Sequence, residues 1–533
     1  MPRAWAQPGR VRDMGVLAVA VALLYALIAG HPSFGSSIRY SEAAREMVET
    51  GDWILPRLYY VPYFEKPALT YWLGAASQAL FGDSWHAVHL PAGLAALVSV
   101  LCTWGLARLL RGGGFPLGAG LLLLGSGMFL VMATVLATDP ILSAAMAAVW
   151  LCYARHDRAP ASRWIWGFWL ALGVGLMAKG PVAVALAGVG IAGFHLLADG
   201  PLGVLRALWR MRPLRGTLVL AAVNLPWWIA VWRQDPRLIE YFLVRFNLEA
   251  FYTTRVNHPE PAWFYLPVML LAFVPWTLPV LGAVATQARV LAAPLLQAWR
   301  RRAPPELASE DRTRLLLLAG VGFGLLFLSV SRSKLGTYPM PLFPLVAVLA
   351  LDALWVAWER GAAWPRRLWL VQGAVVVVLA VVALAVLPRW QSRLGGLDWS
   401  WAWLAVAGAV CTLAAQFAAA VLGWRGRGRL ALVVAGAGMA AGAALGVPVL
   451  DRAIPALVSS PLAASARPLM AAEDLVLVYE PLVHDYHLLW GIRRRPHILC
   501  KPREVGMGHF VEMAPPPLPI PRDTYHLSGD YWG

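Results

Sequence analysis

The chain has 533 residues, 59% of them hydrophobic and 14% charged, with a formal net charge of +16. Soluble proteins carry about a quarter charged residues, so this chain lacks the polar surface to cover itself in water and belongs in a bilayer. A charge of +16 invites a nucleic-acid partner, but the basic residues are distributed as a membrane protein distributes them, which excludes that class.

Apolar runs of about 17–25 residues recur between residues 15 and 447, the length of membrane-crossing helices rather than of outer-membrane strands. About thirteen spans are predicted, near 15–30, 88–107, 115–136, 140–154, 164–178, 181–198, 216–232, 263–285, 314–331, 338–357, 368–387, 401–423 and 430–447. The first run has no small-residue cleavage site after it and reads as an anchor rather than a cleaved signal. Arginine sets the orientation. Arg3, Arg10 and Arg12 precede the first span, and every second loop is again basic: Arg108 and Arg111, Arg155 to Arg163, Arg206 to Arg215, Arg300 to Arg302, Arg360 to Arg367, and Arg425 to Arg429. The loops between these are poor in positive charge, so the N-terminus is expected in the cytoplasm. The first loop (about 31–87), the loop at about 233–262 and the tail after 447 then face the periplasm. The four lysines, Lys66, Lys179, Lys334 and Lys501, all fall on that face.

The first loop reads as two amphipathic helices on the membrane surface. "RYSEAAREMVETGDW" stops at Gly51, and "KPALTYWLGAASQALFG" stops at Gly82. Between them, "FEKP" places Glu65 and Lys66 side by side. A lysine at the membrane boundary is a compact point charge suited to a lipid phosphate, and the plainer reading of the same residue is an anchor reaching for water. Farther on, Asp139 in "ATDP" and Lys179 in "AKGP" put charges at the ends of apolar helices, where a charge is costly unless paired or wet. Asp139 also suits a helix N-cap before Pro140.

"SRSKLGTYPMP" gathers Arg332, Ser333, Lys334 and Tyr338 into one loop, which reads either as an anion cradle or as a polar hairpin. His258, His484 and His487, with Glu65, supply ligand types that zinc prefers, without a tight i, i+4 pair. Cys102, Cys152 and Cys411 lie in apolar runs and Cys500 in the tail, which argues against a disulfide framework. The tail (448–533) holds one strand-like run, "DLVLVYE", and reads as a small periplasmic α/β domain beside the transmembrane domain (1–447). The fold class expected is therefore an all-α polytopic membrane protein with that appendage.

Taken in order, "RYSEAAREMVETGDWILPRLYYVPYFEKPALTYW", "ATDP", "AKGP", "NHPEPAWFY" and "SRSKLGTYPMPLFP" resemble the lipid A aminoarabinose transferases. These belong to the integral-membrane, GT-C-type glycosyltransferases, which include the protein O-mannosyltransferases. The resemblance runs to about residue 350, and "VYEPLVHDYHLLWGIRRRP" is a thinner match to that family's tail. It implies an inner-membrane enzyme that moves a sugar from an undecaprenyl-phosphate carrier to a phosphate of lipid A on the periplasmic side, and a monomer. Lys66 would hold the carrier phosphate, with Arg39, Tyr40, Arg332, Lys334 and Tyr338 as further substrate contacts. Asp139, Lys179 and Glu42 are the catalytic candidates, and Glu65, His258 and His484 the candidates for a divalent metal such as zinc. Alternatives are a protein or polysaccharide acceptor, or a carrier-binding transport protein. Transport calls for charges at mid-membrane and repeated halves, and the sequence shows neither.

One departure bears on the chemistry. Ser36 and Ser37 stand where the family usually has an acidic pair before "RY". A hydroxyl acceptor needs a base to take its proton, whereas a phosphate acceptor at neutral pH is already an oxyanion. The loss therefore weighs against a protein acceptor more than against a lipid phosphate, and it is consistent with a different donor sugar, such as a hexosamine.

Overall fold

The computed structural model describes residues 8–31, 37–58, 61–110, 115–160, 162–253, 259–301, 303–393, 402–457, 476–479 and 496–499. They are overwhelmingly helical. Helix α1 (Pro8–Ile28) leads to a loop that carries α2 (Ser37–Thr50), the hairpin β1 (Arg57–Leu58) and β2 (Val61–Pro62), and α3 (Leu69–Phe81). Then follow α4 (Trp85–Leu110), α5 (Leu117–Leu124), α6 (Gly127–Met132), α7 (Thr138–Arg158), α8 (Trp164–Lys179), α9 (Val182–Asp199), α10 (Pro201–Arg210) and α11 (Pro213–Gln234). A short α12 (Arg237–Glu240) runs into a π-helical segment, Tyr241–Glu249, and α13 (Ala250–Tyr252). The second half holds α14 (Tyr265–Ala272), α15 (Thr277–Arg301), α16 (Ser309–Val330), α17 (Phe343–Glu359), α18 (Trp364–Arg393), α19 (Ala402–Trp424) and α20 (Gly428–Leu457).

Among the described residues, nine helices are long and apolar enough to cross a membrane. Helix α17 is buried along nearly its whole length and forms the centre of the bundle. Leu342, Phe343 and Leu345 to Ala350 lie in a core shared with Trp150 of α7, Phe194 of α9 and Leu315 to Leu317 of α16. Helix α7, which carries the site, packs on α4 and α8, and α16 packs on α9.

Two expected spans are not continuous. The run at 115–136 breaks at Gly125 and Ser126, between α5 and α6, and the run at 263–285 breaks between α14 and α15. Pro275 has no N–H to continue the second helix. A broken backbone inside a membrane protein needs partners within the protein. Here each break supplies the other, because the Gly127 N–H donates to the Val274 carbonyl at 2.8 Å. Glycine permits the approach, since a side-chain carbon at Gly127 would lie 3.2 Å from that oxygen.

The two helices of the first loop form where the sequence predicts them, and Gly51 and Gly82 end them with φ of +71° and +82°. Helix α2, however, is no open surface helix, since ten of its fourteen residues are buried. Its polar residues are accommodated by pairing. Arg45 spans Glu42 at 2.6 Å and Glu49 at 2.6 Å, so the helix packs against α3 without stranding a charge. In the tail, Val476–Tyr479 is a strand, paired in parallel with Pro496–Leu499. The other residues of the expected tail domain beyond 457, His484 and Cys500 among them, lie outside the described residues, as do Ser36 and His258.

Candidate functional site

Asp139 and Lys179 lie at ends of adjacent helices. Helix α7 begins at Thr138, with Ala137 as its extended N-cap, so Asp139 sits in the first turn rather than capping it. A carboxylate there is favoured by the helix dipole, as is the cation of Lys179 in the last turn of α8. Gly180 ends α8 with φ +85°, and its N–H donates to the Leu176 carbonyl at 2.8 Å. "AKGP" is thus a helix stop that delivers its lysine to the helix end. The Lys179 ammonium pairs with Oδ1 of Asp139, and the Thr337 hydroxyl donates to Oδ2 at 3.2 Å. The same ammonium lies 4.2 Å from the centre of the Tyr338 ring. One carboxylate therefore joins α7, α8 and the segment before α17, although Thr337 follows Asp139 by 198 positions.

Lys66 leaves the β1–β2 hairpin on a rigid support. Phe64 is buried and stacks on Trp227 of α11 at 5.5 Å, and the Trp227 indole N–H donates to the Ile54 carbonyl at 2.8 Å. The Lys66 ammonium has a weak contact to the Glu65 carbonyl at 3.3 Å and rests 3.9 Å from the centre of the Phe246 ring, on the π-helical segment. Among the described residues it forms no ion pair with a carboxylate. Desolvation pushes its pKa down to about 7. The charge of Glu65 opposes that shift, Lys179 and Arg39 add to it, and Asp139 opposes it. Lys66, Glu65, Arg39, Asp139 and Lys179 therefore occupy one electrostatic neighbourhood.

Arg39 and Glu65 meet across Tyr63. The Tyr63 hydroxyl donates to Glu65 Oε2 at 2.5 Å and accepts from Arg39 at 3.1 Å, while the guanidinium stands 3.5 Å from the same carboxylate oxygen. Burial, first, and the Glu65 charge hold the Tyr63 phenol well above its ordinary pKa, so it stays a donor. Tyr40 lies against Tyr71, ring centres 5.6 Å apart and tilted by 36°, and engages the side chain of Thr138, which ties α2 to the first turn of α7.

The remaining predicted residues sit differently. Glu42 is fully buried, with both oxygens held by Arg45. Lys334 is 3% exposed, and its ammonium donates to the carbonyls of Glu260, at 2.8 Å, and of Ser331. Beside it, Pro259 and Ser333 form an isolated bridge. Lys334 is thus a latch between two loops. Arg332 is exposed. The Tyr338 phenol is pushed up by burial, then by the charges of Asp139 and Glu65.

Of the candidate metal ligands, only Glu65 is described, and its Oε2 faces a phenol donor and a cation. Among the described residues no group of three His, Cys, Asp or Glu side chains could hold a metal ion. The described residues do not make a zinc site.

Tyr63, Thr337 and Phe246 were not singled out from the sequence. Tyr63 stands in "YVPYFEKP", two positions before Glu65, where a phenol beside a carboxylate was a usable signal. Phe246 carries none, because its place over Lys66 depends on how the π-helical segment returns to the first loop.

Residues 31–242 match the family model for dolichyl-phosphate-mannose-protein mannosyltransferase. The undecaprenyl phosphate-alpha-4-amino-4-deoxy-L-arabinose arabinosyl transferase of Erwinia tasmaniensis is 31% identical over 374 residues, covering 66% of this chain and 61% of the relative. Enzymes of that name from Aeromonas salmonicida and Pseudomonas savastanoi pv. phaseolicola are 33% and 30% identical, covering 68% and 70% of this chain and 63% and 67% of theirs. This chain thus spans about three fifths of the length of the first of these relatives. The fold is that of the crystal structure of ArnT from Cupriavidus metallidurans bound to undecaprenyl phosphate: the TM-score is 0.76 at 23% identity, covering 96% of this chain and 89% of that one. The chain belongs to the undecaprenyl phosphate-aminoarabinose arabinosyl transferase family of integral-membrane glycosyltransferases.

Proposed function

We propose that the chain transfers a sugar from an undecaprenyl-phosphate carrier to a phosphate of lipid A. It does so from a bacterial inner membrane that it crosses about thirteen times, with the first loop and the tail in the periplasm. The observation that carries this reading is Lys66, whose ammonium meets a carbonyl and an aromatic ring but no carboxylate among the described residues. A partly buried, desolvated cation left in that state is an anion site. The relatives' names supply the anion, a polyprenyl phosphate.

The chemistry is a displacement at the anomeric carbon. An oxygen of the acceptor phosphate forms the new C–O bond as the bond from carbon to the carrier's phosphate oxygen breaks, and the electron pair leaves on the carrier. Negative charge grows on that leaving phosphate, so a fixed cation at Lys66 stabilises the transition state more than the ground state. The acceptor, already ionised, needs no base, in keeping with Ser36 and Ser37 and with an Asp139 whose two oxygens are engaged by Lys179 and Thr337. That pair and Tyr338 position the substrates.

The test is sugar transfer to lipid A in membranes with matched protein levels. Lys66→Ala is expected to lower it on the order of a hundred- to thousandfold, the cost of one preorganised contact. Lys66→Arg restores only part, because a planar fork does not fit the place of a point charge. Wild-type transfer by Lys66→Ala would overturn the assignment. Mass spectrometry of lipid A from a strain lacking the chain identifies acceptor and sugar together.

A further inference from the structure

Helix α10 joins two helices long and apolar enough to span the membrane, α9 and α11. Its ten residues rise about 15 Å, too short to cross. Left-handed residues turn the chain at both ends, Gly200 with φ +73° and Arg212 with φ +53°. The helix is therefore confined to the boundary where α9 ends and α11 begins. It is also fixed there. Gly203 and Ala207 are buried, and a side-chain carbon at Gly203 would lie 2.2 Å from Cβ of Asp199. The Trp169 indole donates to the Met211 carbonyl at 2.8 Å, and His156 hydrogen-bonds the backbone of Arg210.

The opposite face is apolar and open. Leu202, Leu205, Leu208 and Trp209 are exposed, Trp209 at 73%. Arg206 and Arg210 flank this face, and Arg212 and Arg215 follow it; all four are exposed. No acidic residue occurs between Asp199 and Asp235, and among the described residues none of the four arginines forms a salt bridge. An apolar face rimmed by unpaired arginine is the pattern of a helix lying in a membrane interface, and guanidinium groups suit phosphodiesters. Arg212 adds a second mark. A non-glycine residue keeps a left-handed conformation at the corner, although glycine would adopt it without strain.

We propose that α10 lies in the plane of the membrane surface, with Leu202, Leu205, Leu208 and Trp209 among the acyl chains. Arg206, Arg210, Arg212 and Arg215 bind the headgroup phosphates of anionic phospholipid. The site is separate from Lys66 and does not depend on the transferase reading, so its test reads lipid rather than sugar.

The full chain is reconstituted in nanodiscs of phosphatidylethanolamine and phosphatidylglycerol, and the lipid carried through delipidation is measured by native mass spectrometry. The wild type retains phosphatidylglycerol in preference to phosphatidylethanolamine. The variant Arg206→Gln/Arg210→Gln/Arg215→Gln loses that preference about tenfold to a hundredfold, since each arginine near an anionic surface contributes roughly a factor of five. The corresponding lysine variant keeps most of it. Hydrogen exchange on the wild type covers the case in which the glutamine variant fails to fold. Amides of residues 201–215 exchange more slowly in nanodiscs containing phosphatidylglycerol than in those of phosphatidylethanolamine alone. Equal retention by wild type and a folded glutamine variant, or exchange indifferent to headgroup charge, overturns the proposal. Concentration-dependent dimers that shield α10 would make a second copy the occupant and overturn it as well.

Discussion

The ammonium of Lys179 is ion-paired with the carboxylate of Asp139 across the ends of two neighbouring helices, and both side chains are about nine-tenths buried. Removing one member of a buried pair costs more than removing both, because a lone charge remains in a poor solvent. Lys179→Met leaves the Asp139 carboxylate with only the Thr337 hydroxyl. It is expected to destabilise the protein by about 3–5 kcal/mol, read as a lowered unfolding midpoint in detergent. Asp139→Asn/Lys179→Met should recover much of that stability and none of the sugar transfer. Recovery of transfer in the double variant would show that the pair only holds the fold.

Lys66 gives the site a pH dependence with a defined sign. Its pKa lies near 7 in the folded chain against 10.5 unfolded, so between those values the unfolded chain binds the proton more tightly. The desolvated charge thus costs stability below pH 7, and the cost is relieved as pH rises from 7 to 10.5. Carrier binding runs the other way, because a phosphate needs the ammonium. The KM for the carrier is expected to rise about tenfold per pH unit above 7, with kcat less affected. Steady-state transfer between pH 6 and 9 checks this, and a flat KM would mean the phosphate does not rest on Lys66.

The elements that were legible in the sequence are those set by local physics. Gly51 and Gly82 marked the ends of α2 and α3, because a left-handed helix stop is a property of the glycine itself. Asp139 and Lys179 stood out as charges beside apolar runs, which a bilayer makes costly wherever the chain goes. The breaks in the runs at 115–136 and 263–285 were not legible, since hydropathy is blind to a backbone bond such as Gly127 to Val274. The direction of Lys334 was hidden for a similar reason. "SRSKLGTY" fixes three donors on one ammonium, and only the fold decides whether they meet a ligand or the carbonyls of Glu260 and Ser331.

Lys334 is accordingly expected to act through stability. Lys334→Met leaves two carbonyls without their donor at a site that is 3% exposed, a loss of about 1–3 kcal/mol. The loop pairing of Pro259 with Ser333 should loosen, with faster proteolysis near residue 260 and a lowered unfolding midpoint. At temperatures where the variant stays folded, the KM for the carrier should move little. A large rise in KM without loss of stability would instead place Lys334 on the substrate.

Gly180 tests whether the position of Lys179 matters as well as its charge. Its backbone, with φ +85° and ψ −157°, is closed to residues with a Cβ, at a cost of about 1–3 kcal/mol. An added Cβ would also lie 2.8 Å from Cζ of Phe242, a buried ring that packs on Phe64, two positions from Lys66. Gly180→Ala therefore displaces both sides of the site, and a shift of about 1 Å at a reacting centre is enough for a hundredfold loss in rate. Gly82→Ala is the control, because Gly82 has a similar φ of +82° with nothing within 4 Å of the added carbon. Gly180→Ala should lose at least as much stability as Gly82→Ala, and only Gly180→Ala should lose sugar transfer in large excess of its stability loss. Adding Phe242→Leu to Gly180→Ala removes the clash but not the backbone strain, so transfer should return in part while the unfolding midpoint does not. Equal loss of transfer in the two alanine variants would mean that the turn at Gly180 serves folding alone.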